Sequence, residues 1–466
     1  MIDEGVSDNR LHAYIQRWLR ANNMYDQEYK AVRLCGHGVL PEYKTVFVLS
    51  NGESSRFSTL IRCHSTWACP YCSPRVMADK GSDIACAIDA LAKWYNQYAA
   101  MITFTLPHDK YMSCEDSYQI LMLTWRMFNR GGRSVQSKKK YVLTTSVGED
   151  KRAVGLAGEV KEYRCGYNPW SDFRVTLKMD YFVRVYEFTY GENGWHPHIH
   201  MLAWVPKENL QSMLDYEDKL IERWWHCAKH CAAKYYKQKY PDDVDFYKER
   251  IETVYADYKK DTNDSHKAVY ISKNKSGKVI AQKSSHYISG WSGNMELTGS
   301  CSNAKHAQEG HLTPFQMVEI SYENAAEAKR LMPLYCEYVK TTYKHRRVEF
   351  SKHPPLNPII DKWKATEDYI KTLKKILTDK AEIRPWKVVA WFTEKQWYEI
   401  CVWDVTTDED IRSTILELAR ASPDPKQAIA EYVWRFGVSM YMHEHRIQKL
   451  FEKNIYENRL LAELSA

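Results

Sequence analysis

The chain has 466 residues, 44% hydrophobic and 27% charged, a globular composition that excludes a wholly disordered protein. Its 66 Lys and Arg against 59 Asp and Glu give a net charge of +7, which permits an anionic partner without requiring one. No stretch approaches the roughly 18 uncharged apolar residues of a membrane span, and the polar first residues predict no secretory signal. Twelve Cys in such a chain favour free thiols or a metal site in the reducing cytoplasm over a disulfide scaffold.

The predicted elements mix helices with short strands, and the length predicts two to four domains. Apolar spacing predicts helices at residues 1–30, 82–100, 115–130, 207–240, 264–275, 314–347 and from 407 to the end. Aromatic and β-branched residues predict strands at residues 101–106 (MITFTL), 181–190, 198–205 and the segment WKVVAWF. Residues 31–80 are rich in Cys, Gly, Pro and Ser, which predicts short strands and knuckles. The prolines of residues 353–358 mark a boundary.

Three histidines follow a predicted tight turn. His198 and His200 are two residues apart on a strand, so their side chains share a face. Asn193-Gly194 is typical of a two-residue hairpin turn, and a hairpin symmetric about it places Glu187 opposite His200 on that same face. Two imidazoles and a carboxylate at one point suit Mn²⁺ or Mg²⁺, with positions left for phosphate oxygens. The alternatives are structural histidines, or a bulge at Pro197 that shifts the register by one residue and breaks the pairing.

The segment YEFTYGENGWHPHIHML resembles the metal motif of HUH endonucleases, and especially that of plasmid rolling-circle replication initiators, the Rep proteins. In that family two His on a central strand and a polar ligand from a neighbouring strand hold a divalent metal. The resemblance, which covers roughly residues 31–320, implies the ligands His198, His200 and Glu187, with His196 as an alternate for Glu187. The segment MITFTL resembles the strand beside the metal strand in that family, although a plain core strand explains it equally well.

The resemblance also implies a tyrosine nucleophile in a helical Tyr-x-x-Lys pattern, which Tyr270 and Lys273 match. Tyr270 would attack the scissile phosphate and keep the 5′ end as a phosphotyrosine, while Lys273 would neutralise the phosphate or orient the metal ligands. Asn274 stands where two-tyrosine members of the family have a second tyrosine, so we expect a single-tyrosine enzyme. The alternative nucleophiles are Tyr258, Tyr255 and Tyr287.

A Cys-x-x-Cys knuckle in a turn-rich stretch predicts a closed structural Zn²⁺ site, on which folding of this region would depend. The four candidate thiolates are Cys35, Cys63, Cys69 and Cys72. His37 and His64 compete with Cys35 for the fourth position, and buried free thiols are the alternative to a metal site. Similar Cys clusters precede the nuclease core in many Rep proteins.

The predicted helix 207–240 carries a second set of ligand-type residues, His226, Cys227, His230 and Cys231. We interpret them as an ordinary helix face rather than a zinc site. The run KYYKQKY that follows is a better candidate for nucleic-acid contact, with a solvated face as the alternative. The candidate phosphate contacts elsewhere are Lys138, Lys139, Lys140, Lys305, Arg346 and Arg347.

Together these patterns predict an α/β (α+β) chain in four segments. They are an N-terminal helical segment (1–30), a zinc-ribbon-like module (31–80), an HUH endonuclease core with a central antiparallel sheet and flanking helices (81–348), and a mainly helical accessory domain (349–466). The resemblance implies site-specific nicking and joining of single-stranded DNA at an origin, with a host helicase as a further partner and no membrane contact. The alternatives are an HUH-type single-strand transposase and a zinc-dependent DNA-binding protein without catalysis.

Overall fold

The structure is a computed structural model. It describes residues 8–129, 152–154, 160–162, 168–255, 268–281, 310–352, 354–371, 386–407 and 409–440. Among these residues no helix combines the length and the apolarity needed to cross a membrane.

The described part of the chain contains both helices and strands. The α-helices are α1 Asp8–Ala21, α2 Gln27–Arg33, α3 Cys72–Tyr95, α4 Cys114–Asn129, α5 Pro169–Thr176, α6 Glu217–Lys239, α7 Val244–Val254, α8 Pro314–Glu323, α9 Ala325–Thr342, α10 Asn357–Lys364, α11 Glu394–Thr406, α12 Ile411–Ala421 and α13 Pro425–Trp434. The strands are β1 Thr45–Ser50, β2 Ser55–Ser58, β3 Gln97–Thr105, β4 Arg152–Val154, β5 Val160–Glu162, β6 Phe182–Gly191, β7 Gly194–Pro206, β8 Val269–Ile271, β9 Val348–Phe350 and β10 Lys387–Thr393. Short 3₁₀ turns at Lys207–Asn209, Gln211–Tyr216 and Pro241–Asp243 precede α6 and α7.

The chain divides into two compact units. The first comprises Met1–Ala90, Ser284–Val348 and Asn357–Ala466, and the second comprises Leu91–Lys283 and Glu349–Leu356. These boundaries differ from the four predicted segments, because the C-terminal residues join the first unit instead of forming a unit of their own.

The second unit is built on a five-stranded antiparallel sheet in the order β8-β3-β7-β6-β9. Strand β7 occupies the centre, so the two predicted metal-binding histidines lie on a central strand, as expected. Helices α4, α5 and α6 cover the face that carries Phe104. Phe104 is fully buried among the rings of Trp125, Phe128, Trp170 and Trp224, at centroid distances of 5.0–6.1 Å. This aromatic core fixes one face of the sheet and leaves the opposite face for the polar residues of β3, β6 and β7. The predicted α+β class with an antiparallel sheet is therefore confirmed.

The first unit contains a three-stranded antiparallel sheet in the order β10-β1-β2. Its core joins residues from both ends of the chain, including Val46 and Phe57 from β1 and β2 and Phe392, Trp397 and Ile415 from the C-terminal segment. The predicted strand WKVVAWF is confirmed as β10, and its partner is β1.

Two predicted elements are wrong. The predicted helix 82–100 ends at Tyr95, because Asn96 takes a left-handed φ of 51° and β3 starts at Gln97. The predicted helix 264–275 contains the strand β8 instead, and Val269 and Ile271 are fully buried beside β3. Three residues are too few to show strand periodicity in the sequence.

Candidate functional site

The hairpin of β6 and β7 turns one residue earlier than predicted. Glu192 and Asn193 form the turn, Gly191 pairs with Gly194, and Glu187 pairs with His198 instead of His200. Gly194 explains the position of the turn, since its φ is +84° and a Cβ there would lie 2.9 Å from the carbonyl oxygen of Asp109. A turn that comes one residue earlier moves the cross-strand partner of each residue by two positions. A shift of two positions keeps every side chain on its predicted face.

Pro197 does not bulge the hairpin. It pairs with Phe188 in regular register, and its carbonyl oxygen accepts the N–H of Leu106. The N and the carbonyl of a residue in an antiparallel strand point to the same neighbour. The missing N–H of Pro197 therefore faces the end of the β3 ladder, which finishes at Thr105.

Glu187, His198 and His200 converge on one point of the polar face, as predicted. Each Nε2 of the two histidines lies 2.9 Å from Oε2 of Glu187, and all three residues are buried. Two ligands at right angles in an octahedral site with bonds of about 2.1 Å lie about 3 Å apart. The spacing and the mixed nitrogen and oxygen donors thus fit one divalent ion. His196 is not part of this group of ligand atoms, although its ring lies 5.3 Å from that of His198; it also packs against the ring of His108 at 4.6 Å.

The contacts around the triad favour the forms of Glu187 and His200 that bind a metal. Burial by itself raises the pKa of the Glu187 carboxyl, but the contacts with His198 and His200 hold that pKa well below its usual range. Oγ1 of Thr103 lies 3.1 Å from Nδ1 of His200. A proton on Nδ1, donated to this hydroxyl, leaves Nε2 of His200 with a lone pair directed at the metal position.

Tyr270 lies on β8, a strand at the edge of the same sheet, and not on the predicted helix. It pairs with Thr103, which in turn pairs with His200, so the three residues form a row on one face across three strands. Two strand spacings separate the Cα atoms of Tyr270 and His200 by roughly 10 Å. The sheet therefore places this half-buried tyrosine on the face of the triad.

Glu217 was not predicted, and it holds the Tyr-x-x-Lys segment in place. Its Oε1 accepts the backbone N–H of Ile271 at 3.0 Å, and its Oε2 lies 2.7 Å from Nζ of Lys273. Glu217 begins α6 and is 8% exposed. It precedes Tyr270 by more than fifty residues, so no local pattern links the two.

Of the three alternative nucleophiles, only Tyr255 lies within the described residues. Tyr255 is buried, its hydroxyl lies 3.5 Å from the carbonyl oxygen of Pro107, and burial raises its pKa above the ordinary value. Tyr258 and Tyr287 lie outside the described residues.

The four predicted thiols form a second metal-type cluster, in the first unit. Their Sγ atoms all lie within 4.8 Å of one another, with Cys35 3.6 Å from Cys72 and 3.8 Å from Cys69. A zinc tetrahedron with Zn–S bonds of 2.3 Å has sulfur–sulfur edges of about 3.8 Å. Cys35, Cys63, Cys69 and Cys72 therefore fit Zn²⁺ in a closed site.

Backbone groups support this cluster. The N–H of Cys63 donates to Sγ of Cys35, and the N–H of Cys72 donates to Sγ of Cys69. The hydrogen bond between Cys35 and Cys63 lowers the pKa of Cys35 and raises the pKa of Cys63, so the cluster favours a thiolate at Cys35 first. The alternates His37 and His64 are not in the cluster: His37 lies 3.3 Å from Oε1 of Gln16, and His64 is exposed.

The remaining candidates are more scattered. Cys227 and Cys231 are buried on α6, whereas His226 and His230 are exposed on it, so the four do not converge on one ion. Arg346 is exposed, but Arg347 is buried and donates to the carbonyl oxygen of Thr66, which favours a structural role over the predicted phosphate contact. The lysines 138–140 and Lys305 lie outside the described part of the chain.

Comparisons with known proteins give partial likenesses. No family model matches the chain, and no solved structure matches it. "Protein rep" of Streptomyces lividans is 23% identical over 325 residues, which cover 63% of each chain. "Neomycin resistance protein" of Streptomyces cyanogenus is 26% identical over 169 residues, or 35% of each chain. The present chain thus spans less than two thirds of the length of either curated relative.

Proposed function

We propose that the chain acts in DNA replication as a rolling-circle initiator that nicks and rejoins single-stranded DNA through a 5′-phosphotyrosine. The observation that carries this proposal is the convergence of Glu187, His198 and His200 on one face of the sheet, in a row that leads to Tyr270. The name of the Streptomyces lividans relative supports the coarser part, a role in replication.

The polar face offers a place for each part of the reaction. A Mn²⁺ or Mg²⁺ ion held by the triad would supply positive charge to the non-bridging oxygens of the scissile phosphate. The hydroxyl oxygen of Tyr270 attacks phosphorus, the bond from phosphorus to the 3′ oxygen breaks, and that oxygen leaves with a proton as a 3′ hydroxyl. Attack of a 3′ hydroxyl on the phosphotyrosine reverses these steps, so rejoining needs no ATP.

Lys273 is suited to bind the phosphate beside Tyr270. Its Nζ lies 5.5 Å from the centre of the Tyr270 ring and is held by the Glu217 carboxylate. A cation in this position offsets the negative charge that develops on the non-bridging oxygens of the phosphate during phosphoryl transfer. The second cluster, with Zn²⁺ bound to its four thiolates, would have a structural role.

The decisive experiment is covalent capture. The protein is incubated with Mn²⁺ and a pool of random single-stranded oligonucleotides, and species that survive denaturing detergent are sequenced and analysed by peptide mass spectrometry. We expect one adduct, carried by Tyr270, that is absent in Tyr270→Phe and present in Tyr98→Phe. Tyr98 is the matched control because it lies on β3 at a position that faces the opposite side of the sheet.

Each other outcome rejects a different part of the proposal. An adduct on another tyrosine would keep the chemistry but reject Tyr270. Binding of DNA without any adduct, with an intact triad and bound metal, would reject catalysis and favour the zinc-dependent DNA-binding protein.

A further inference from the structure

A groove between α6 and α7 in the second unit has no part in the site described above. It encloses about 470 Å³, a volume typical of ligand pockets. Ala233, Val244 and Ile251 supply apolar lining. The groove therefore combines an apolar floor with the charged and aromatic side chains on its walls.

The α6 wall of the groove carries basic side chains. His226, Lys229, His230 and Lys237 follow one another at helical spacing and line it. The two histidines are the ones that the sequence placed beside Cys227 and Cys231. Cys227 and Cys231 are buried in the core, whereas the side chains of His226 and His230 line the groove.

The α7 wall contributes the ring of Tyr247, which packs on two tyrosines at the end of α6. The ring of Tyr247 stacks on that of Tyr236 at 4.4 Å with an interplanar angle of 14°, and on that of Tyr240 at 4.7 Å and 13°. Tyr236 is buried, and Tyr247 is half-buried at the groove. Parallel rings held in this way are a preformed platform for another flat ring.

The charge at the groove favours an anion. Lys229, Lys237 and Lys248 line it, against a single lining carboxylate, Glu252, which lies 2.6 Å from Nζ of Lys229. Phosphates attract such cations, and an aromatic platform takes bases only when they are unpaired. This combination fits single-stranded DNA and not duplex DNA, whose base faces are covered by stacking.

The groove is connected to the loop beside the triad. Nε of Arg250 on α7 donates to Oδ2 of Asp109 at 2.6 Å. The same loop carries His108, whose ring lies 4.6 Å from that of His196 on β7. These two contacts link α7, through the loop after β3, to the strand that carries His198 and His200.

We propose that this groove binds the single-stranded DNA that flanks the cleavage site, with phosphates on Lys237 and Lys248 and a base stacked on Tyr247. The proposal rests on the proposed function for its biological meaning, but it concerns binding and not cleavage.

The test measures binding alone, in the full-length Tyr270→Phe protein, so that failure of cleavage does not affect it. The probe is a fluorescein-labelled oligothymidylate of about 20 nucleotides, long enough for one such site, followed by anisotropy over a series of salt concentrations. Each neutralised phosphate contact contributes about 0.7 to the slope of log K against log salt for single strands. We therefore expect Lys237→Gln/Lys248→Gln to reduce that slope by about 1.4. The matched control is Lys329→Gln/Lys340→Gln, two exposed lysines of α9, and it should leave the slope unchanged.

Stacking is tested separately at Tyr247. Loss of one base–aromatic stack weakens binding about tenfold or more, so Tyr247→Leu should show that loss and Tyr247→Phe should not. Thermal melting confirms that the variants are folded. Equal effects of the groove and control lysine pairs would overturn the proposal. So would unchanged affinity in Tyr247→Leu, or a duplex of the same length that competes as well as the single strand.

Discussion

The carboxylate of Glu217 makes two contacts with the Tyr270 segment, one to the backbone and one to a charged side chain. Loss of its charge should misplace Lys273 without removing any group that contacts DNA. A charge-assisted hydrogen bond of this kind contributes about 2 kcal/mol, so we expect Glu217→Gln to slow adduct formation by between ten- and a hundredfold with little change in DNA affinity.

Single-turnover rates at saturating DNA check this prediction. Lys273→Met should show a similar loss, and the double variant should be no slower than the slower single variant, because both act through one pair. The control is Glu222→Gln, an exposed carboxylate on the same helix. Additive losses in the double variant would contradict a shared role.

Thr103 orients His200 through its hydroxyl. Loss of a hydrogen bond to a metal ligand typically weakens metal binding by ten- to a hundredfold. We therefore expect Thr103→Val to weaken Mn²⁺ binding by that factor with the fold intact. Calorimetric titration with Mn²⁺ measures it. Thr105→Val, two residues along the same face, is the comparison; an equal loss there would show that the Nδ1 contact of His200 is not the cause.

At the scale of elements, the knuckle that leads into α3 brings four thiols within metal-binding distance of one another. A tetrathiolate zinc site contributes folding free energy directly. We expect Cys63→Ser to lose the bound zinc and to lower the melting temperature of the first unit. Cys86→Ala, a buried thiol on α3 outside the cluster, should keep one zinc per chain by elemental analysis, and retention of zinc by Cys63→Ser would reject the four-thiolate site.

The hairpin shows how much an element can be predicted from its own residues. Alternation along β6 and β7 is strong enough to place Glu187, His198 and His200 on one face. The turn position goes with Gly194, whose φ is +84° and beside which the backbone of Asp109 leaves no room for a Cβ. The sequence marks Asn193-Gly194 as a turn, but it does not show which of the neighbouring residues pair across that turn.

At the scale of the whole molecule, the first unit joins β1 to β10 across more than three hundred residues. Trp397 is fully buried in this core, and its indole N–H donates to the carbonyl oxygen of Gly36 at 2.9 Å. We expect Trp397→Ala to lower the free energy of unfolding by about 3–5 kcal/mol.

Chemical denaturation followed by circular dichroism measures this loss. Trp434→Ala provides the matched control, because that side chain is 73% exposed and surface substitutions usually change stability by less than about 0.5 kcal/mol. A small effect at Trp397 would indicate that the C-terminal segment is not part of the cooperative core.

Short-range patterns in the sequence determined the strands of the hairpin, the spacing of the knuckle thiols and the α+β class, because each of these depends on residues that are neighbours in the chain. The tertiary structure alone decided that Tyr270 lies on an edge strand, that Glu217 holds Lys273, and that β1 and β10 share one sheet. Those facts depend on pairings between distant segments, and a pairing of that kind is set by burial and hydrogen bonding in the folded chain rather than by local periodicity.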